Sequence, residues 1–205
     1  MSIIQDPDTN TLLDNLLFDA QERWSKTDPN ISVEQILENM NKIAFVESKY
    51  GTDKFSNVQQ VDPVTLEDGS YGYSEGRGKG IFQFESKVPG KGQLGAETAA
   101  NRLKNYLNKQ HAIIPDWVNK LSENDYDFRD LSVDQQQLLF IANLLEMPNK
   151  DDAEGRVEAN FAGVDTDREL ADYWAQYHQA GTKLGTDKYD TMINKFLSDM
   201  PFYKP

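Results

Sequence analysis

Ser32-Val33-Glu34-Gln35-Ile36-Leu37-Glu38-Asn39-Met40-Asn41-Lys42-Ile43-Ala44-Phe45-Val46-Glu47-Ser48 decides the fold. Ser32 followed three residues later by Gln35 is a capping-box pattern, which starts a helix. Val33, Ile36, Met40, Ile43 and Ala44 then recur at three- and four-residue steps, the apolar stripe of an amphipathic helix. Tyr50-Gly51 supplies a stop, because Gly51 can take a left-handed turn. Glu47 prolongs the apolar stripe with a carboxylate. A carboxyl group set against apolar neighbours resists ionisation, so its pKa is expected to rise, and a neutral acid is what general-acid chemistry requires. The competing reading is a helix end that turns outward, with Glu47 in water. Spacing alone favours that plainer reading.

Outward from this helix, the rest of the chain alternates helix signals with one β signal. Before it, Leu12, Leu13, Leu16, Leu17 and Ala20 mark a first helix running to Trp24, broken by Thr27-Asp28-Pro29-Asn30. Residues 1-30 are accordingly read as an N-terminal helical extension, and 31-205 as a single compact domain. After it, Val58, Val61, Val64 and Leu66 alternate loosely with polar residues. Glu67-Asp68-Gly69-Ser70 is a hairpin turn signal, and Tyr71 and Tyr73 share one face of a return strand. Helical spacing resumes with Ala99, Ala100, Leu103 and Leu107. Pro115 opens a short helix carrying Trp117, Val118 and Leu121. Capping boxes at Ser132-Val133-Asp134-Gln135 and Thr166-Asp167-Arg168-Glu169 start two more, the second running toward His178 and stopped by Gly181. Tyr189, Met192, Ile193, Phe196 and Leu197 mark a last helix. About seven helices around one β-hairpin region make a mainly helical α+β domain.

Composition bounds the function. The chain has 205 residues, 38% of them hydrophobic and 27% charged, a globular profile. Its net charge of -13 argues against a nucleic-acid partner and gives no attraction to anionic cell envelopes. No apolar run approaches the length of a membrane span. The start, Met1-Ser2-Ile3-Ile4-Gln5-Asp6, shows neither the basic nor the apolar region of a secretory signal, so synthesis in the cytoplasm without a leader is expected. Cysteine is absent, which excludes disulfides and thiolate metal sites and is compatible with a reducing compartment or with later action outside the cell. With only two histidines, of which His111 reads as a loop residue, no metal site is expected.

Three short pieces carry the candidate chemistry. Glu47-Ser48 closes the second helix. Gly78-Lys79-Gly80-Ile81-Phe82-Gln83-Phe84 follows the hairpin, and sets a polar amide, Gln83, among aromatic side chains. Arg77 and Lys79 interleave Gly76, Gly78 and Gly80, but the order lacks the Gly-Lys-Ser/Thr of a phosphate loop. Tyr177-His178-Gln179-Ala180-Gly181 closes a later helix. In this order the pieces resemble the lysozyme-like lytic transglycosylases, a superfamily that includes the goose-type lysozymes. That family has a Glu-Ser pair at a helix end, a Gly-Leu-Met-Gln-like element after a small sheet and an Ala-Tyr-Asn-Ala-Gly-like element later. The matches here are Glu47-Ser48, Gly80-Ile81-Phe82-Gln83 and Tyr177 to Gly181. His178 replaces the family's Tyr, Gln179 replaces its Asn, and the spacings from Ser48 to Gly80 and on to Tyr177 are long.

The resemblance implies a muramidase. Glu47 would be the lone catalytic acid and base. It would cut the bond between N-acetylmuramic acid and N-acetylglucosamine in peptidoglycan, leaving 1,6-anhydro ends, without a cofactor. Ser48, Gln83, Phe82, Tyr73, Tyr177, His178 and Gln179 would bind substrate. Tyr71 is a further candidate stacking face. Each of these has a plain reading as helix, sheet or core packing. A second carboxylate would allow hydrolysis instead, and Asp53, Glu67, Asp68, Glu75 and Glu85 lie in the right region, with Asp53, Glu75 and Glu85 preferred. The charge and the lack of a leader point to delivery by a bacteriophage virion, among other tail proteins, or by a phage lysis system. The site of action would then be the bacterial cell wall. A lysozyme-like glycan-binding or structural module without turnover is the alternative.

Overall fold

The computed structural model describes residues 8–48, 59–65, 67–85, 96–123, 131–146, 161, 164–177 and 184–203. Among them the chain is mainly helical. Seven α-helices are present among the described residues: α1 (Thr9–Trp24), α2 (Val33–Ser48), α3 (Ala96–Lys109), α4 (Asp116–Ser122), α5 (Val133–Leu145), α6 (Asp167–Tyr177) and α7 (Asp187–Asp199). A 3-10 turn at Met200–Phe202 follows α7. None of the described helices is long and apolar enough to cross a membrane.

The helix starts obey the capping chemistry of their sequences. Ser132 forms a complete box on α5: its hydroxyl accepts from the Gln135 amide at 3.2 Å, and the Gln135 side chain accepts from the Ser132 amide at 2.8 Å. Thr166 does the same with Glu169 on α6, and Glu169 also accepts from the Asp165 amide at 3.1 Å. These bonds, the Thr166 hydroxyl first, hold the Glu169 carboxyl below the usual glutamate range. On α2, Ser32 accepts from the Gln35 amide at 3.2 Å, while the Gln35 side chain reaches across to the Val164 carbonyl at 3.0 Å. Helix α3 stops at His111, exposed and in the left-handed region with φ +52°.

Helix α5 is the hub of the core. From Gln136 to Leu145 every side chain except Asn143 is buried, because α1 and α3 both pack on it. A helix enclosed this way reads as apolar all round rather than striped, as Leu138-Leu139-Phe140-Ile141-Ala142 does. Aromatic rings run outward from it. Phe140 stacks on Phe82 with centroids 4.4 Å apart and meets Phe161 edge-on, and Phe161 touches Trp24 of α1 and Tyr173 of α6.

Helix α1 packs into the common core. Leu12, Leu13, Leu16, Leu17, Ala20 and Trp24 belong to the same hydrophobic cluster as the rest of the chain. Arg23 Nη1 also donates to the Leu145 carbonyl at 3.0 Å, tying α1 to the end of α5. Removing α1 would uncover the apolar side chains of the neighbouring helices that it covers, those of α5 above all.

Between α2 and α3 the chain forms three antiparallel strands in the order β1-β2-β3, namely Gln59–Thr65, Tyr71–Lys79 and Phe84–Glu85. Thr65 pairs with Tyr71 at one end and Lys79 with Phe84 at the other. The first turn is closed by Asp68, which accepts from the Ser70 amide at 2.9 Å and from its hydroxyl at 2.6 Å, with Gly69 at φ +81°. Pro63 lies in β1, an edge strand, where its missing N–H costs no ladder bond.

Candidate active site

The end of α2 is enclosed. Ile43, Ala44, Phe45 and Val46 are all buried, and so is Ser48 at 6% exposure. Four consecutive buried residues cover every side of a helical turn, so the stripe read from the sequence broadens into a collar just before Glu47. Glu47 itself is half-buried, and its Oε1 accepts a 2.7 Å hydrogen bond from Trp174 Nε1 of α6. The solvated, outward-turned helix end is therefore not the arrangement present.

A seam of polar contacts lines up α2 with α6. Gln35 and Asn39 both donate to the Val164 carbonyl, at 3.0 and 3.3 Å. Lys42 donates to Asp167 at 2.8 Å and pairs with Glu38 at 2.9 Å. Burial pulls the Lys42 ammonium down, but Asp167 and Glu38 outweigh it and its pKa is raised. Contacts at 35, 39, 42 and 47 on α2 meet 164, 167 and 174 in rising order, so the two helices run in the same sense along the seam. Glu47 and Trp174 are its last pair.

Helix α5 carries the second element. Gln136 has no solvent exposure; its Oε1 accepts from the Ile81 amide at 2.8 Å and its Nε2 donates to the Leu131 carbonyl at 3.1 Å. The next residue, Gln137, donates to Asn41 of α2 at 2.9 Å. Two adjacent glutamines on one helix thus hold the Gly80–Gln83 turn on one side and the Glu47 helix on the other. The turn joins β2 to β3. Its first and last residues both have positive φ, +75° at Gly80 and +49° at Gln83. Glycine takes that conformation freely; at Gln83 it is stabilised because both its backbone amide, at 3.2 Å, and its Nε2, at 2.7 Å, donate to the Gly80 carbonyl.

The sequence-derived site residues fall as follows. Ser48 donates its hydroxyl to the Ala44 carbonyl at 2.9 Å, a bond within its own helix. Gln83 is half-buried and its Nε2 serves the turn. Phe82 is core, 5% exposed and stacked on Phe140, so its ring is not an open face for a sugar. Tyr71, Tyr73, Glu75 and Glu85 are placed in strands, and Tyr177 at the last position of α6, by their backbone alone. Glu67 and Asp68 are exposed at the β1-β2 turn. Asp53, His178 and Gln179 lie outside the described residues. Among the described residues, no group of three His, Asp or Glu side chains could hold a metal ion.

Two residues of this arrangement, Trp174 and Gln136, were not singled out from the sequence. Trp174 had a signal: it sits in the buried stripe Leu170, Ala171, Tyr173, Trp174 of α6, and a buried indole N–H needs an acceptor. A cavity of about 400 Å³ opens elsewhere, between α1, α3 and the end of α5. In its lining Lys109 pairs with Glu146 at 2.6 Å and Tyr106 with Asp19, and it takes no residue from α2, the Gly80–Gln83 turn or α6. Searches against protein-family models, curated proteins and solved structures find no match to the chain.

Proposed function

We propose that the chain is a lysozyme-like α+β domain that cleaves peptidoglycan, a muramidase of the lytic transglycosylase type with Glu47 as general acid and base. The observation that carries this reading is the Glu47 carboxyl group: half-buried at an enclosed helix end and held through one oxygen by a buried indole N–H. A carboxyl group so placed is oriented and partly desolvated, the two properties general-acid catalysis draws on. The tie through Gln136 and Gln137 between this helix and the Gly-Ile-Phe-Gln turn gives the two best-matched elements a common support.

In this reading Glu47 gives its proton to the glycosidic oxygen between N-acetylmuramic acid and N-acetylglucosamine, and the bond to C1 breaks with its electron pair on that oxygen. The resulting carboxylate takes the proton of the muramoyl 6-hydroxyl as that oxygen closes on C1. Glu47 ends as it began, and no water is consumed. An inverting hydrolysis would require a second carboxylate roughly 6.5–9.5 Å away, for which Asp53, Glu75 and Glu85 are the candidates. Delivery to the cell wall by a phage particle or lysis system belongs to the same proposal, since a charge of -13 gives no electrostatic help at an anionic envelope.

The test compares wild type with Glu47→Gln on purified, dye-labelled peptidoglycan. Release of dye by wild type and its loss in the variant supports the reading. Equal release by both overturns the assignment of Glu47. Binding of glycan by both proteins with no release by either supports the non-catalytic module instead.

A further inference from the structure

We propose that Trp174 is a positioning residue for Glu47, its indole N–H holding the carboxyl group in orientation through Oε1. This rests on the reading of Glu47 as the acid and base. The indole has no solvent exposure, so its N–H must find an acceptor inside the protein, and the acceptor it has is Oε1 at 2.7 Å, a length typical of bonds to a charged partner. The ring is held in place. Phe196 of α7 packs on it with centroids 5.5 Å apart, and the Lys195 ammonium sits 5.7 Å from its centroid. The cation draws electron density from the ring, which makes the N–H a better donor.

The bond sets the direction in which the Glu47 carboxyl group faces, and losing it removes a restraint on the orientation that makes proton transfer efficient. The α2–α6 seam supports the same assignment, since Val164 and Asp167 fix α6 against α2 ahead of Trp174.

The experiment replaces Trp174 by β-(3-benzothienyl)alanine, which keeps the bicyclic shape and puts sulfur where the N–H was, alongside Trp174→Phe. In the unaltered protein the Trp174 indole 1H–15N signal, identified by its absence in Trp174→Phe, is expected to move as Glu47 titrates. It should lose that movement in Glu47→Gln. Lys195 is a further charged group set against the ring, and Lys195→Met should leave the Glu47-dependent movement in place. The benzothienyl variant is expected to fold and to lose roughly 10- to 100-fold in kcat with KM little changed. Wild-type kcat in the benzothienyl variant, or an indole signal indifferent to Glu47, overturns the inference. Wild-type protein that cleaves no peptidoglycan overturns the functional reading and the catalytic half of this inference with it, while the indole signal still decides whether the pairing exists.

Discussion

Replacing Gln136 by methionine tests how the second element is held. The side chain keeps its length and apolar stem but loses both polar atoms. In the folded protein the bonds of those atoms include two buried ones, to the Ile81 amide at 2.8 Å and to the Leu131 carbonyl at 3.1 Å. Ile81 is fully buried, so its N–H gains no water when the bond is removed. An abandoned buried polar group costs about 1–3 kcal/mol, and two such groups give about 2–6 kcal/mol. Methionine packs well in an apolar site and returns part of this, so a net loss of about 3 kcal/mol is expected. For a chain of 205 residues that lowers Tm by roughly 6–12 °C. Urea unfolding should show a lower midpoint with an unchanged slope, and amide exchange should accelerate at Ile81. A loss under about 1 kcal/mol, with Ile81 still protected, refutes the claim that Gln136 pins the turn.

Phe82→Ala removes a ring that is 5% exposed and stacked on Phe140, and should cost about 3–5 kcal/mol by urea unfolding; a near-neutral result would mean the ring is not core. Thr166→Ala removes the cap of α6 and should cost about 1 kcal/mol near neutral pH. The same variant should bring the Glu169 titration back up toward the ordinary glutamate value of 4.5, read by carboxyl NMR. Because the folded-state pKa of Glu169 is depressed, its contribution to stability is present above the unfolded value and fades as pH falls through the folded one. The stability gap between wild type and Thr166→Ala should therefore narrow in acid, and a gap that widens there would be the wrong sign.

Much of the helical framework was legible because its signals are local. Ser132, Thr166 and Ser32 sit where short-range capping chemistry demands, and the stripes of α1, α2 and α7 repeat at helical spacing. What stayed hidden depends on partners distant along the chain. The Glu47 carboxyl meets Trp174 across 127 residues, and the Ile81 amide meets Gln136 across 55. No periodicity announces such a pair; only the rule that buried donors need acceptors narrows the choice. Where α1 packs was hidden for a related reason: its wide apolar face must be buried somewhere, and nothing local names the partner. Phe82 shows the opposite difficulty: an aromatic residue beside a polar amide fits either a cleft or a core, and stacking on Phe140 made it core.

If Glu47 alone cleaves peptidoglycan, as proposed, mass spectrometry of the soluble fragments should find muramoyl ends one water lighter than reducing ends from the wild-type protein, and no fragments from Glu47→Gln. Fragments with reducing ends would show that water, and hence a second carboxylate, takes part; anhydro fragments from Glu47→Gln would contradict the role given to Glu47.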